Sequence, residues 1–188
     1  SAGADINSVK LAIGSDRRIG NNFLDAGPGF GGSCFKKDIL NLVYLCNYYG
    51  LNEVANYWQQ LIELNDWQQK RISNLIVEKL FGTVSGKKIG ILGFSFKANT
   101  NDTRESPAIK ICKDLIEEGA ILSIYDPKVF GNRIEQDLGL KETDYSVSKV
   151  KEGSWNFASS INDSINKSDA VVILTEWEEF RNLDWIKF

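Results

Sequence analysis

Lys88-Ile89-Gly90-Ile91-Leu92-Gly93-Phe94 is a short apolar run punctuated by glycine, and its reading decides the fold. A run this short with apolar residues at successive positions predicts a strand buried on both faces, as the strands of a parallel sheet are. Downstream, Ser106 as N-cap and Pro107 at the first helical position open a helix that Gly119 closes. Ala120-Ile121-Leu122-Ser123-Ile124-Tyr125 predicts a second strand, ending at Asp126-Pro127. A polar stretch over 131–158 follows, then a helix near 160–166 and Asp169-Ala170-Val171-Val172-Ile173-Leu174 as a third strand. Strand, helix, strand, helix, strand is a parallel α/β unit. Because the sequence ends at Phe188, soon after that strand, the sheet is expected to be truncated.

Upstream of Lys87 the period is helical. Asp5 to Ile13, with apolar Ile6, Val9, Leu11, Ala12 and Ile13, predicts a short helix stopped at Gly14. Residues 15–33 carry five glycines, Gly20, Gly27, Gly29, Gly31 and Gly32, together with Pro28, a density no helix sustains. Helix resumes near Cys34 and runs through Cys46 to Gly50; the next, with Asn52 as N-cap, covers 53–81 and stops at Gly82. At 1.5 Å per residue that second helix is about 43 Å long. Trp58, Ile62, Ile72, Ile76 and Leu80 are among the apolar residues that recur along it, with Trp67 as an additional aromatic. A helix of this length and pattern spines two domains or packs against another chain. The expected organisation is a helical segment over 1–85 and an α/β domain over 86–188, without internal repeats or low-complexity stretches.

Composition excludes several function classes. The 188 residues are 43% hydrophobic and 25% charged with net charge −3, as in a folded soluble protein. Residues 1–85 hold eight Lys/Arg against eight Asp/Glu and residues 86–188 hold 14 against 17, so neither half has the basic excess a nucleic-acid binder needs. No apolar run approaches the roughly 20 residues that span a bilayer, and the start lacks a signal pattern, so no membrane partner and a cytoplasmic location are expected. The absence of histidine excludes Ser-His-Asp and Cys-His catalysis within the chain and His-ligated zinc; no metal site is expected. The absence of methionine, even at position 1, predicts a fragment. Cys34, Cys46 and Cys112 are odd in number and form no CxxC pair, which supports neither a disulfide framework nor a metal knuckle.

The sharpest chemical signal is Gly29-Phe30-Gly31-Gly32-Ser33-Cys34-Phe35-Lys36-Lys37-Asp38. Glycines permit close backbone approach to a ligand, and a helix beginning at Cys34 puts free N–H groups and a positive dipole end beside it. Thiols at helix N-termini near lysines are better nucleophiles, and Asp38 lies one turn further on the same face. A small buried cysteine in a tight turn is the alternative, and the residues alone leave both readings standing. Cys46 and Cys112, in apolar helical patterns, read as packing residues. The pair Arg17-Arg18 reads as a solvated loop charge or a phosphate or carboxylate contact. A second signal, Gly93-Phe94-Ser95-Phe96-Lys97 through Asp102-Thr103-Arg104-Glu105-Ser106, joins a strand to a helix, where open α/β sheets bind ligands. It is not the dinucleotide fingerprint: G-x-G-x-x-G spacing is missing, and Asp126 lies 33 residues past Gly93 where about 20 is expected. A nucleotide or nucleotide sugar held by Lys97 and Phe96, or a plain solvated loop, both fit.

Together these segments resemble the UDP-glucose/GDP-mannose dehydrogenase family. The match is carried by Asn22-Phe23-Leu24, by Gly29 to Asp38, by Tyr57-Trp58-Gln59-Gln60, and by Leu92-Gly93-Phe94-Ser95-Phe96-Lys97 with Asp102 to Ser106. The continuation from Phe35 to Cys46 looks more like the animal members than the bacterial ones. The resemblance covers nearly all of the chain. It implies the later part of a central helical domain followed by most of a Rossmann-like, UDP-binding α/β domain. A dinucleotide-binding domain and a catalytic lysine would lie upstream, and a substrate-binding arginine beyond Phe188.

The implied reaction is a four-electron oxidation of a nucleotide sugar's C6 alcohol to a carboxylate with two NAD. Cys34 would add to the aldehyde-level intermediate, a second hydride would leave, and the thioester would be hydrolysed with Asp38 positioning water. Phe23, Leu24, the loop of Asp25, Ala26, Gly27, Pro28, Gly29, Phe30 and Gly31, and Phe96 and Lys97 would hold the UDP-sugar. Arg18 would reach a neighbouring subunit's substrate site, in a homodimer or larger homo-oligomer built through the central helices. Phe35, Lys36, Lys37 and Arg104 would face NAD. Asp25 stands where the animal members carry a lysine, so a diphosphate contact is not carried over to it. UDP-glucose is favoured by overall similarity; GDP-mannose, UDP-N-acetylmannosamine and a non-catalytic nucleotide-binding and dimerisation module are the competing readings.

Overall fold

The computed structural model describes residues 3–143 and 153–184. The run 88–92 forms β1 (Lys88–Leu92), the centre of a four-stranded parallel sheet. β2 (Ile121–Tyr125) pairs with it on one side, and β4 (Ala170–Ile173) on the other. β3 (Ser154–Phe157) adds to the far side of β2, giving the order β3-β2-β1-β4.

Alternation along the strands separates two cores. Ile89, Ile91, Leu122 and Ile124 are fully buried beneath α4 (Pro107–Glu117) and α5 (Gly131–Leu138), together with Ile111, Leu115, Ile134 and Trp155. Leu92 points the other way, into a smaller cluster with Ile165, Trp177 and Phe180. α6 (Ile161–Ile165) lies on that second face so closely that a Cβ on Gly90 would stand 2.9 Å from Ser164 O. α4 starts as the sequence predicts: Ser106 Oγ accepts from Ala108 N–H at 3.3 Å, with Pro107 first in the helix.

The helical half is α1 (Ile6–Gly14), α2 (Phe35–Tyr48) and α3 (Asn52–Lys79). α1 is capped by Asp5, whose carboxylate accepts from Ser8 N–H at 2.9 Å. The long helix is present, two residues shorter than expected at its C-terminus. Its cap differs: Leu51, not Asn52, is the N-cap and offers no side-chain bond, the turn being closed instead by Leu51 N–H on Cys46 O at 2.8 Å. The first half of α3 packs on α2 through Ala55 and Ile62, and the second half brings Ile72, Ile76, Val77 and Leu80 into the sheet's core beside α4.

The stretch 131–158, expected to be merely polar, holds α5 and β3, so the strand at 170–173 is the fourth. Both elements are short, eight and four residues. Ile134 and Leu138 are the two inward residues of α5, and Trp155 and Phe157 those of β3. A final turn, α7 (Glu178–Arg181), buries Phe180. Among the described residues no helix is long and apolar enough to cross a membrane.

Candidate active site

Cys34 is the N-cap of α2, exposed and unbridged, with Ser33 Oγ 3.5 Å from its sulfur. Asp38 lies in the first turn of the same helix, its backbone N–H on Cys34 O at 2.8 Å, and is exposed. The other two thiols are packed away as expected: Cys46 is buried, and burial drives the Cys112 thiol strongly upward from its ordinary pKa.

Two glycines bring this loop against the loop that follows β1. A Cβ on Gly32, at φ +89, would lie 2.9 Å from the Phe96 ring, and one on Gly31 would lie 2.4 Å from Glu105 O. Neither position has space for a side chain. Gly32 N–H donates to Arg104 O at 2.8 Å, and Lys36 Nζ pairs with Glu105 at 2.8 Å. Glu105 is itself in the left-handed region, at φ +54, a conformation costly for a residue with a Cβ and here imposed by the junction. Phe96 is half-buried at the seam, and the exposed Lys97 holds its ammonium 5.3 Å from the Phe96 ring.

Arg104 forms a two-pronged pair with Asp102, Nε to Oδ1 at 2.9 Å and Nη2 to Oδ2 at 2.7 Å. The pair holds the Asp102 carboxyl down at about 2, with the hydrogen bonds from Arg104 outweighing the opposing effect of burial. The Arg104 guanidinium is raised chiefly by Asp102, with a smaller electrostatic contribution from the Cys34 thiol. Arg104 lines a cleft of about 620 Å³ with Lys128, Phe130 and Arg133. A second cleft, of about 460 Å³, opens beside Lys36 and Glu105 between α3 and α4.

The remaining expected site residues are more scattered. Phe23 is fully exposed at φ +61, and Leu24 is half-buried. Asp25 is ion-paired with Lys10 of α1. Ala26 and Gly27 are exposed, while Pro28, Gly29, Phe30 and Gly31 turn inward. Phe30 packs edge-on against Phe35 at 4.7 Å between ring centroids. Arg18 lies out in solvent, bound through Nε to Asp16 at 3.0 Å, and Lys37 is exposed on α2.

Sequence reasoning missed the residues that set these loops in place. Buried Asp126, at the end of β2, accepts from Phe94 N–H at 2.7 Å, Ser95 N–H at 3.0 Å and Trp177 Nε1 at 3.2 Å on one oxygen. Its other oxygen accepts from Lys128 N–H at 2.9 Å and Val129 N–H at 3.0 Å. Thr175 Oγ1 adds a 2.6 Å bond to Ser95 O. In a dinucleotide-binding sheet an acid after the second strand binds the ribose diol. Here both carboxylate oxygens are occupied, and the turn after β1 lacks the glycine fingerprint, so the described residues do not fit NAD in this sheet's own crevice.

Residues 90–188 match the UDP-binding domain of the UDP-glucose/GDP-mannose dehydrogenase family, and residues 1–67 match that family's central domain. The chain belongs to this family. Its relatives in the UDP-glucose/GDP-mannose dehydrogenase family include UDP-glucose 6-dehydrogenase 4 of Arabidopsis thaliana, 50% identical over 198 residues and matched by 100% of this chain. The UDP-glucose 6-dehydrogenase of Drosophila melanogaster is 51% identical over 185 residues, with 98% of this chain covered. Among solved structures, a UDP-glucose dehydrogenase from Pyrobaculum islandicum superposes with a TM-score of 0.79 at 30% identity, covering 97% of this chain and 38% of that one. The chain spans 40% of the Arabidopsis relative and 39% of the Drosophila one.

Proposed function

We propose that this chain supplies the nucleophilic cysteine and the UDP-sugar-binding half of an NAD-dependent UDP-glucose 6-dehydrogenase, as a 1–85 helical segment joined to an 86–188 UDP-binding domain. The observation that carries the reading is the seam itself. An exposed thiol at the start of a 14-residue helix faces a loop presenting an aromatic ring with a lysine ammonium over it, and glycines hold the two loops at contact distance. The half-buried part of the loop over 25–31, with Phe23 and Leu24, lines the sugar side. Phe96 offers a face for the base or ribose, and Lys97 a cation for the diphosphate.

In this reading Cys34 Sγ adds to the C6 aldehyde and holds the substrate carbon covalently until it reaches the acyl level. Free N–H groups at the first turn of α2 favour the oxyanion that develops beside it. Asp38, one turn on, orients the water that releases the carboxylate. NAD is the electron acceptor of the proposed reaction. Arg104 and Lys37, with the neighbouring Phe35 and Lys36, would face it, and the dinucleotide's own binding turn would be supplied by residues other than these. The 188-residue chain alone is therefore expected to form no NADH. Arg18, held in solvent by Asp16, would reach a second subunit of a homodimer, and the free cysteines and mixed charge suit the cytoplasm.

The test is Cys34→Ser in the full-length polypeptide that carries this chain, assayed with UDP-glucose and, separately, GDP-mannose. UDP-glucose binding should persist within about threefold while turnover falls by at least about 10³, because a serine hydroxyl is scarcely ionised at neutral pH. Near-normal turnover would overturn the nucleophile, and a preference for GDP-mannose would overturn the substrate.

A further inference from the structure

Residues 26–31 belong to neither a helix nor a strand, so no ladder holds the backbone that leads into Cys34. α3 supplies the substitute. Phe30 N–H donates to Asn65 Oδ1 at 2.8 Å, and Asn65 Nδ2 donates back to Phe30 O at 3.2 Å. One side-chain amide thereby satisfies both backbone groups of one residue, the pairing a neighbouring strand would otherwise give. One turn further along α3, Gln68 Nε2 donates to Gly27 O at 3.1 Å. The approach is close because residue 29 is glycine: at φ +134, a Cβ there would meet Asn65 Oδ1 at 2.8 Å and Gln69 Cγ at 3.2 Å. From Phe30 the contact passes directly to the site, since its ring packs edge-on against Phe35, the residue after Cys34.

We propose that Asn65 is a positioning residue for Cys34. Its amide fixes Phe30, the Phe30 ring fixes Phe35, and the thiol is thereby held where the first turn of α2 and Arg104 act on it. The proposal rests on the reading of Cys34 as the nucleophile. Asparagine suits the task because it is short enough to lie flat against the loop and carries one acceptor and one donor side by side. Aspartate in its place keeps the acceptor for Phe30 N–H but sets a second anionic oxygen against Phe30 O. The charged groups surrounding the thiol, Lys36, Lys37 and Asp38 on α2 and Asp102, Arg104 and Glu105 on the loop after β1, are unchanged by either substitution.

The full-length polypeptide that carries this chain tests this as wild type, Asn65→Ala, Asn65→Asp and the control Glu63→Ala, an exposed neighbour on the same helix. Each is alkylated with iodoacetamide at pH 7, and modification is followed separately at Cys34, Cys46 and Cys112. Wild-type and Glu63→Ala proteins should alkylate Cys34 about tenfold faster than free N-acetylcysteine, as an activated thiol does. Both Asn65 variants should lose at least about threefold of that advantage, with Cys46 and Cys112 still protected. Two outcomes overturn the role of Asn65 while leaving the nucleophile intact: both variants reacting at the wild-type rate, or a loss at Cys34 accompanied by labelling of Cys46 and Cys112, which marks general unfolding. A wild-type Cys34 no more reactive than the free thiol overturns the nucleophile reading, and the positioning role with it.

Discussion

One buried carboxylate, Asp126, ties β1's loop, the turn after β2 and Trp177 to a single point. Removing it leaves several buried donors without partners, each costing about 1–3 kcal/mol. Asp126→Ala should therefore destabilise the chain by at least about 3 kcal/mol in urea denaturation, a change in midpoint without a change in slope. Asp102 acts at the surface and through pH. Its carboxyl is held at about 2, below the ordinary 3.8, so its contribution is complete above about pH 4 and disappears as pH falls towards 2. Asp102→Asn should be the less stable form at pH 7, and the two stability curves should converge between about pH 4 and pH 2; parallel curves would show that the pairing does not matter to folding. Asp102 was legible as a member of the loop motif after β1, but neither acid's partners could be read from the sequence. Asp126 looked like the end of a strand, because hydrogen-bond partners drawn from three separate loops leave no local pattern.

Elements were legible in proportion to their length and their caps. β1, β2, α4 and the 28-residue α3 carry either a continuous apolar run or a full helical stripe, and Ser106-Pro107 marks its boundary by local chemistry. α5 and β3 were hidden because each shows only two inward residues. Ile134 and Leu138 lie one helical turn apart but are too few to stand out in a polar stretch, and the strand state of β3 depends on the neighbouring sheet. The Cys34 loop was legible as glycine-rich, but why it needs those glycines emerges only in three dimensions. A methyl at residue 31 points at Glu105 O, a backbone atom that cannot swing away. Gly31→Ala should consequently push the two loops apart. In the full-length polypeptide it should raise the UDP-glucose KM by about tenfold or more, a loss on the order of 1.4 kcal/mol, with less effect on thermal stability than on binding. An unchanged KM would place the sugar away from this seam.

At the scale of the whole molecule, α3 is the spine that makes the two halves one body, and it has more than one face. Ala55, Ile62, Gln69 and Ser73 turn inward, while Val54, Tyr57, Leu64 and Trp67 form a second apolar stripe on the far side of the helix, all well exposed. Tyr44 and Tyr48 of α2, stacked at 6.4 Å and also exposed, extend the apolar surface of the helical half. Monomeric proteins seldom leave so large an apolar stretch in water, and the proposed homodimer would cover it. Sedimentation should accordingly find the wild-type chain as a dimer at micromolar concentration. Leu64→Glu, which sets a charge in the middle of the stripe without touching the inward face, should weaken association by at least about 2 kcal/mol, roughly thirtyfold, with little change in helical content. A wild-type chain that sediments as a monomer up to hundreds of micromolar would refute self-association through this stripe, and with it the route by which Arg18 is supposed to serve a neighbouring site.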